Sequence, residues 1–335
     1  RDTDRSRGLG DVYKRQKLLL MALMAVMAVG LIACGTDKSD NESTKEEKTS
    51  VTITSLDASK NEIELEVPYN PKRIAILDLA SLDIIDELGV GDRVVGMAST
   101  SIDYLEKYSN DASIKNLGTI KEADLEAVME CEPDIIFIGG RLSKSYDALS
   151  EIAPVVYLAT DTNEGLVNSV SKNAKTIASI FGMEDKVDSL MSDFGARIDA
   201  IKKISSGKTA LVGMTTSGSF NLLGNDGRCS LIGVEAGFNN LTAAGSTSTH
   251  GNESSFETVV QQNPDYIFVM DRDSAISTAG AKTAKEIVEN ELVKTTDAYK
   301  NNHIIYLEHS NVWYTAEGGI QALDIMLTDL EKGLK

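Results

Sequence analysis

"EPDIIFIGGR" at residues 132–141 and "NPDYIFVMDR" at residues 263–272 decide how this chain is read. Each opens on a Pro-Asp pair, runs through a short apolar stretch and closes on an arginine. Pro133 and Pro264 lie 131 residues apart. The match extends outward, because Glu126 and Glu257 each stand seven residues before the proline and Arg141 and Arg272 eight after it. The shared frame is E-x6-P-D-x6-R. The apolar runs are short and rich in Ile, Val and aromatic residues, as buried strands are. The preceding stretches, "ADLEAVMECE" and "SSFETVVQQN", read as short helices opened by Asp or Ser and stopped near proline. Each copy is thus helix, tight turn, buried strand and an arginine at the strand's C-terminal end, the edge where open α/β sheets bind ligands. Chance repetition of a common unit is the bland alternative, and four matched positions weigh against it.

The remaining sequence builds a lobe around each copy. "VTITSLDASKNEIELEVP" is a hairpin of alternating strands. "PKRIAILDLASLDIIDELGVGDRVVGM" reads strand, loop, helix, glycine stop, strand, and "PVVYLA" adds a further strand, the alternation of a parallel-sheet lobe. Residues 163–204 carry two amphipathic helical patterns; in the second, Val187, Leu190, Met191, Phe194, Ile198, Ile201 and Ile204 recur at helical spacing with only Gly195 as an interruption. This second pattern falls between the repeat copies, so a stiff helix joining two lobes is expected rather than an ordinary crossover. Strands resume at "KTALVGM", a helix is expected near Arg228, another at residues 283–292, a strand at "HIIYLEH" and a last helix from Gly319. The expected fold is two Rossmann-like α/β lobes, 51–182 and 205–335, joined by a long rigid helix at 183–204, with a ligand cleft between them.

The 335 residues exceed one typical domain, and 42% hydrophobic content supports sizeable cores. The net charge of −18 argues against nucleic acid as a partner. "RDTDRSRGLGDVYKRQ" at 1–16 resembles no targeting signal and reads as a non-native scar. Residues 17–33 follow as a signal peptide, whose apolar core is too short for an ordinary membrane span. "LIAC" then resembles a bacterial lipobox, with Cys34 as the lipidated residue. Residues 34–50 are polar and read as a disordered tether. Cleavage before Cys34 removes six basic and three acidic residues, which leaves a still more acidic chain. For such a protein to catch an anion it needs a local positive site, which draws attention to the repeated arginines.

"IGGRLSKSYDALSEIAP", "GNDGRCSLIG", "THGNESSFETVVQQNPDYIFVMDR" and "VWYTAEG" together resemble the iron-siderophore substrate-binding proteins of ABC importers. Within that class the similarity is to the catecholate (enterobactin- and petrobactin-type) branch, and it covers roughly residues 50–335. It implies a monomeric lipoprotein on the extracytoplasmic face of the membrane, with a Gram-positive surface favoured over a periplasm, that captures a ferric catecholate and delivers it to an ABC permease. It implies no enzyme and no cofactor of its own, since ferric iron arrives as a siderophore complex. Arg141, Arg228 and Arg272 match three ligand-binding arginines, and Lys144 matches a ligand-facing lysine. Arginine suits a trianionic chelate with an aromatic periphery, because it offers permanent charge, several donors and a flat face. His250 and Tyr314 match residues that ligate iron directly when the siderophore is tetradentate; either Trp313 or Tyr314 could line the cleft while the other packs. Glu126 and Glu257 match a pair that docks permease arginines.

Other readings weigh less. A haem or cobalamin receptor on the same fold would leave three arginines unexplained in the cobalamin case. A secreted α/β hydrolase lacks a G-x-S-x-G elbow, an H-E-x-x-H motif or a phosphate loop in this sequence. Cys131 reads as a core residue, and a Cys131–Cys229 bridge would have to tie opposite lobes. His303 and His309 flank a strand without zinc-ligand spacing.

Overall fold

The computed structural model describes residues 48–242 and 247–335. The expected scar, signal peptide and Cys34, and the tether up to residue 47, lie outside these residues. Among the described residues the first regular element is the antiparallel hairpin β1 (Ser50–Leu56) and β2 (Glu62–Pro68), paired from Ser50↔Pro68 to Leu56↔Glu62.

The first sheet is parallel throughout. β3 (Ile74–Leu77) leads through the Asp78 N-cap into helix α1 (Leu79–Glu87), and β4 (Val94–Met97) returns beside β3. Short strands β5 (Lys115–Asn116), β6 (Gly118–Thr119) and β7 (Glu122–Ala123) lead to helix α2 (Leu125–Glu130), capped by Asp124, whose side chain accepts from Ala127 N. β8 (Ile135–Ile138) and β9 (Val155–Tyr157) complete the order β5-β4-β3-β8-β9.

The connecting segment departs from expectation. Helix α3 (Leu166–Phe181) ends on Gly182, whose left-handed φ of 67° suits a glycine C-cap. The predicted single helix at 183–204 is two helices, α4 (Glu184–Met191) and α5 (Phe194–Ser205), separated at Ser192–Asp193. The apolar spacing continues across the break, so hydrophobic periodicity alone hides it. Ser192 Oγ instead bonds Ser189 O, the local side-chain competition that makes serine a poor interior helix residue.

The second sheet is mixed. β10 (Thr209–Thr216) pairs antiparallel with β11 (Ser219–Leu222) and parallel with β12 (Asn239–Asn240). β13 (Asn252–Glu253) extends the edge, helix α6 (Phe256–Gln262) starts on the Ser255 cap, and β14 (Tyr266–Asp271) lies parallel to β10. Helix α7 (Arg272–Ala275) follows directly, and β15 (Ile304–Tyr306) lies parallel to β14. Helices α8 (Ser310–Thr315) and α9 (Ile320–Gly333) complete the chain. The helix expected at 283–292 is confined to Ala284–Val288, where Thr283 and Glu286 form a capping box.

The repeated Pro-Asp pair has a structural cause. Asp134 Oδ2 accepts the backbone N–H groups of Lys72 (2.7 Å) and Arg73 (2.9 Å), at the foot of β3. Asp265 Oδ2 accepts the N–H of Thr209 (2.8 Å) and its hydroxyl (2.9 Å), at the foot of β10. Each aspartate thereby satisfies donors at the start of the neighbouring parallel strand and pins its register. The residue before each proline, Glu132 (φ 43°) and Asn263 (φ 40°), makes the tight turn in the left-handed region.

Alternate residues of the central strands face different cores. Ile74, Ile76, Tyr266, Phe268 and Met270 share one continuous cluster with α3, α5 and α9, while Ala75 and Leu77, and Ile267 and Val269, face two separate outer clusters. The lobes are therefore joined by a common apolar core rather than by a lone strut. Asp83 on α1 adds a polar link within it. Its carboxylate accepts the N–H groups of Gln321 and Ala322 (2.9 Å each), at the start of α9, and the hydroxyl of Tyr104 (2.6 Å). Asp83 is fully buried, and burial raises its pKa to about 6 against the pull of these donors.

A stability prediction arises here. Asp83→Ala leaves two helix N–H groups and a phenol without an acceptor, and should cost about 2–4 kcal/mol in denaturant unfolding. Because the folded pKa is raised, this carboxyl's contribution is fully present below its unfolded value near 4 and is lost as pH rises through about 6. The stability advantage of wild type over Asp83→Asn should therefore shrink between pH 4 and 7. A constant difference across that window would contradict it.

Candidate ligand-binding site

The arginine at the end of each repeat projects from the C-terminal edge of its sheet. Arg141 follows β8 through Gly139 and Gly140, and Arg272 opens α7 directly after β14. Arg228 comes from the turn before the short helix Ser230–Gly233. All three meet at one side chain, Tyr314 on α8. Arg141 Nη2 donates to the Tyr314 carbonyl at 3.1 Å across the lobes, and Arg228 Nε donates to the same oxygen at 3.4 Å. Arg272 Nε donates to the Tyr314 hydroxyl at 3.2 Å. The guanidinium carbons stand 5.6, 4.5 and 5.7 Å from the ring centroid for Arg141, Arg228 and Arg272. Such distances lie in the range of cation–π attraction.

The concentration of like charge shapes the titration of the groups around it. Burial opposes ionisation of the Tyr314 phenol, but the Arg272 hydrogen bond and the three guanidinium charges outweigh it and hold its pKa below the ordinary tyrosine value. Burial, then the charges of Arg272, Arg228 and Lys121, depress the pKa of His250. His250 is exposed on a turn beside Thr249, whose carbonyl accepts Arg228 Nη1 at 2.7 Å. The imidazole is thus near the arginines and favoured in its neutral, metal-binding form.

Carboxylates stand beneath the cations. A cavity of about 330 Å³ is lined by Asp78, Arg141, Asn173, Arg228, Tyr314 and Glu317, among others. Asp273 Oδ1 lies 3.3 Å from Arg272 Nη1. Burial raises the pKa of Asp78, and it carries Glu317 up to about 7 against the opposing Cys229 N–H and Arg228 charge. Sequence reasoning missed these acids. Asp78 is the N-cap of α1, and Glu317 sits inside the quoted "VWYTAEG" with no neighbour in sequence to mark it.

The other anticipated residues divide. Tyr314 lines the cavity, whereas Trp313 does not belong to the site: it is fully buried and its Nε1 donates to Asp329 at 2.9 Å. Its indole fills the core behind α8 because one turn of helix cannot present both adjacent rings to the same face. Lys144 is exposed on the 3-10 turn that carries Arg141 and lies outside the cavity lining. Glu126 and Glu257 are exposed on the first turns of α2 and α6. Each helix runs back before its parallel strand, so these first turns lie toward the strand edge that carries the arginines. Cys131 and Cys229 are buried free thiols. His309 approaches Glu308 and Asp329 within 4.8 Å, but the Asp329 carboxylate already accepts from His309 N, His309 Nδ1 and Trp313 Nε1.

Two α/β sheets on a shared helical core, with three arginines gathered at their adjoining edges, agree with the comparison to known sequences, in which residues 74–310 match the periplasmic binding protein family. The chain belongs to that family. Among its periplasmic binding protein relatives, the petrobactin-binding protein YclQ of Bacillus subtilis is 36% identical, over 96% of this chain and 99% of the relative. The crystal structure of YclQ superposes with a TM-score of 0.78, covering 85% of this chain and 99% of that one at 36% identity. The periplasmic catecholate-siderophore binding protein VctP of Vibrio cholerae gives a TM-score of 0.76 at 30% identity, over 84% and 100% of the two chains. The ferric-anguibactin-binding protein FatB of Vibrio anguillarum is 26% identical over 80% of this chain and 84% of its own.

Proposed function

We propose that this protein captures ferric catecholate siderophores outside the cytoplasm and hands them to the permease of an ABC importer. The observation that carries the reading is the convergence of Arg141, Arg228 and Arg272 on Tyr314, a cationic and aromatic cluster at the facing edges of two lobes. A ferric tris-catecholate is a trianion whose outer surface is flat and aromatic, and guanidinium groups meet both properties. Lys144 supplies further charge at the rim. The names carried by YclQ and VctP support the same ligand class. The protein acts as a monomer without catalysing a reaction, held at the outer face of a Gram-positive membrane by lipid on Cys34. Glu126 and Glu257 dock arginines of the permease, with exposed Leu125 and Met129 beside Glu126 adding apolar contact. The test is a fluorescence titration through Trp313, buried next to the site, against ferric catecholate, ferric hydroxamate and haem. Quenching at the lowest concentrations by ferric catecholate is expected, and preference for haem would overturn the reading.

Where the siderophore supplies only four donor atoms, His250 and Tyr314 fill the two open iron positions, donor types that suit ferric iron. The Tyr314 hydroxyl is covered by Arg272, so coordination requires that guanidinium to swing away onto the ligand. His250→Ala and Tyr314→Phe should therefore weaken the two-catechol complex by about tenfold or more, the scale of one lost charge-assisted contact, and the three-catechol complex far less. The charge-transfer band of the two-catechol complex should shift on binding to wild type and stay put with the double variant. Equal losses for both complexes would reduce these residues to pocket shape.

A further inference from the structure

We propose that Glu317 is a positioning residue of the arginine site and takes up a proton from solvent when the anionic ligand binds. The inference rests on the siderophore reading and extends it to the charge balance of the cleft. The three arginines do not stand alone there, because each interacts with an acid: Arg141 with Asp78, Arg228 with Glu317 and Arg272 with Asp273. An arriving anion competes with those acids for the same guanidinium charge. The conflict is relieved if an acid becomes neutral.

The surrounding bonds single out Glu317. Asp78 Oδ2 accepts both the N–H (2.9 Å) and the hydroxyl (2.8 Å) of Ser81, two bonds that oppose the rise burial causes in its pKa. Asp273 accepts the Ser217 N–H at 2.6 Å and pairs with Arg272. Asp226, also on the cavity wall, accepts the Thr247 N–H at 2.8 Å. Glu317 accepts one hydrogen bond among the described residues, from Cys229 N at 2.9 Å. That bond also gives it its positioning role. Cys229 adopts a left-handed φ of 61°, and its N–H follows Arg228 directly, so Glu317 pins the turn that aims Arg228 at Tyr314.

The charges facing Glu317 are Arg228 and Arg141, which favour its ionised form, and Glu235, which disfavours it. Desolvation is the largest influence and places its pKa at about 7 in the free protein. A trianion set against Arg228 diverts the charge that stabilised the carboxylate and raises this pKa further. Above neutrality the acid is ionised when free and protonated when the ligand is bound, so binding draws in a proton. Below about pH 6.5 it is already protonated, and the uptake fades.

The experiment is calorimetric titration of the intact soluble chain with a ferric tris-catecholate between pH 6.5 and 8.5, in buffers of differing ionisation enthalpy. The visible spectrum of the chelate serves at each pH to verify that the ligand itself does not change protonation. At pH 8 the heat should vary with buffer in proportion to an uptake approaching one proton, and Kd should rise with pH above about 7. Glu317→Gln keeps an acceptor for the Cys229 N–H and imitates the protonated acid. It should bind about tenfold more tightly than wild type at pH 8, one pH unit above the free pKa, equally well at pH 6.5, and without buffer dependence. Tight binding by wild type with no buffer dependence overturns the proposal, as does a Glu317→Gln variant that retains the full uptake. Absence of binding at every pH overturns the siderophore reading itself. The wild-type measurements decide the matter even if the variant does not fold.

Discussion

Arg228→Ala should weaken ferric catecholate binding by a factor of about 30 to several thousand, the span of about 2–5 kcal/mol typical for removing one partner of a desolvated charge pair. Arg228 stands nearest the Tyr314 ring, at 4.5 Å, and among the described residues its hydrogen bonds go to the Tyr314 and Thr249 carbonyls. Both are neutral acceptors, so the Glu317 carboxylate is the main competitor for the charge that Arg228 offers the ligand. Arg141 and Arg272 should cost less when truncated. Arg272 is already engaged by Asp273, and Arg141 is more exposed. The double variant Arg141→Ala/Arg228→Ala should lose less than the two single losses added together, because both groups share one ligand and one anchoring carbonyl. Thermal unfolding midpoints near that of wild type would assign the losses to the site. If all three single variants bind as wild type does, the ligand lies elsewhere.

Simultaneous Glu126→Ala and Glu257→Ala should reduce siderophore uptake by cells to near background while leaving Kd in solution unchanged. Each glutamate is exposed, on a different lobe, and neither lines the cavity. Isolated surface ion pairs contribute about 0–1 kcal/mol, so single substitutions should act weakly. On the proposed docking role the two contacts act together, because the first makes the second effectively intramolecular. Loss of both should therefore exceed the product of the single effects. A large fall in affinity for the purified double variant would instead place these residues in the cleft.

Much of the architecture was legible in the sequence because it is written in local or periodic terms. The E-x6-P-D-x6-R frame located both lobes, and each feature of it has a local cause: the caps at Asp124 and Ser255, the left-handed turns at Glu132 and Asn263, the register-setting Asp134 and Asp265. The break at Ser192–Asp193 was not legible, since the apolar face continues past it while the backbone does not. Nor was the choice between Trp313 and Tyr314, because adjacent helical residues point to different sides and sequence does not say which side is the cleft. Asp83, Asp329 and Glu317 escaped for a third reason. Their partners, at Ala322, Trp313 and Cys229, are 239, 16 and 88 residues away, and an acid matched to a donor that far along the chain leaves no local pattern.

The bond between Asp83 and the start of α9 also constrains the order in which the molecule can be completed. A chain synthesised or threaded N-terminus first presents α1 long before residues 320–333 exist on the same side. Until then the face of α1 that α9 covers has no partner, and Asp83 has no helix start to cap. The first lobe can pair its own parallel strands early, but α1 gains its packing against α9, and Asp83 its two helix N–H donors, only once residues 320–333 are present. This dependence means that the first lobe expressed alone, without residues 320–333, should persist as an expanded state with exposed apolar surface, and that supplying α9 as a separate peptide should tighten it.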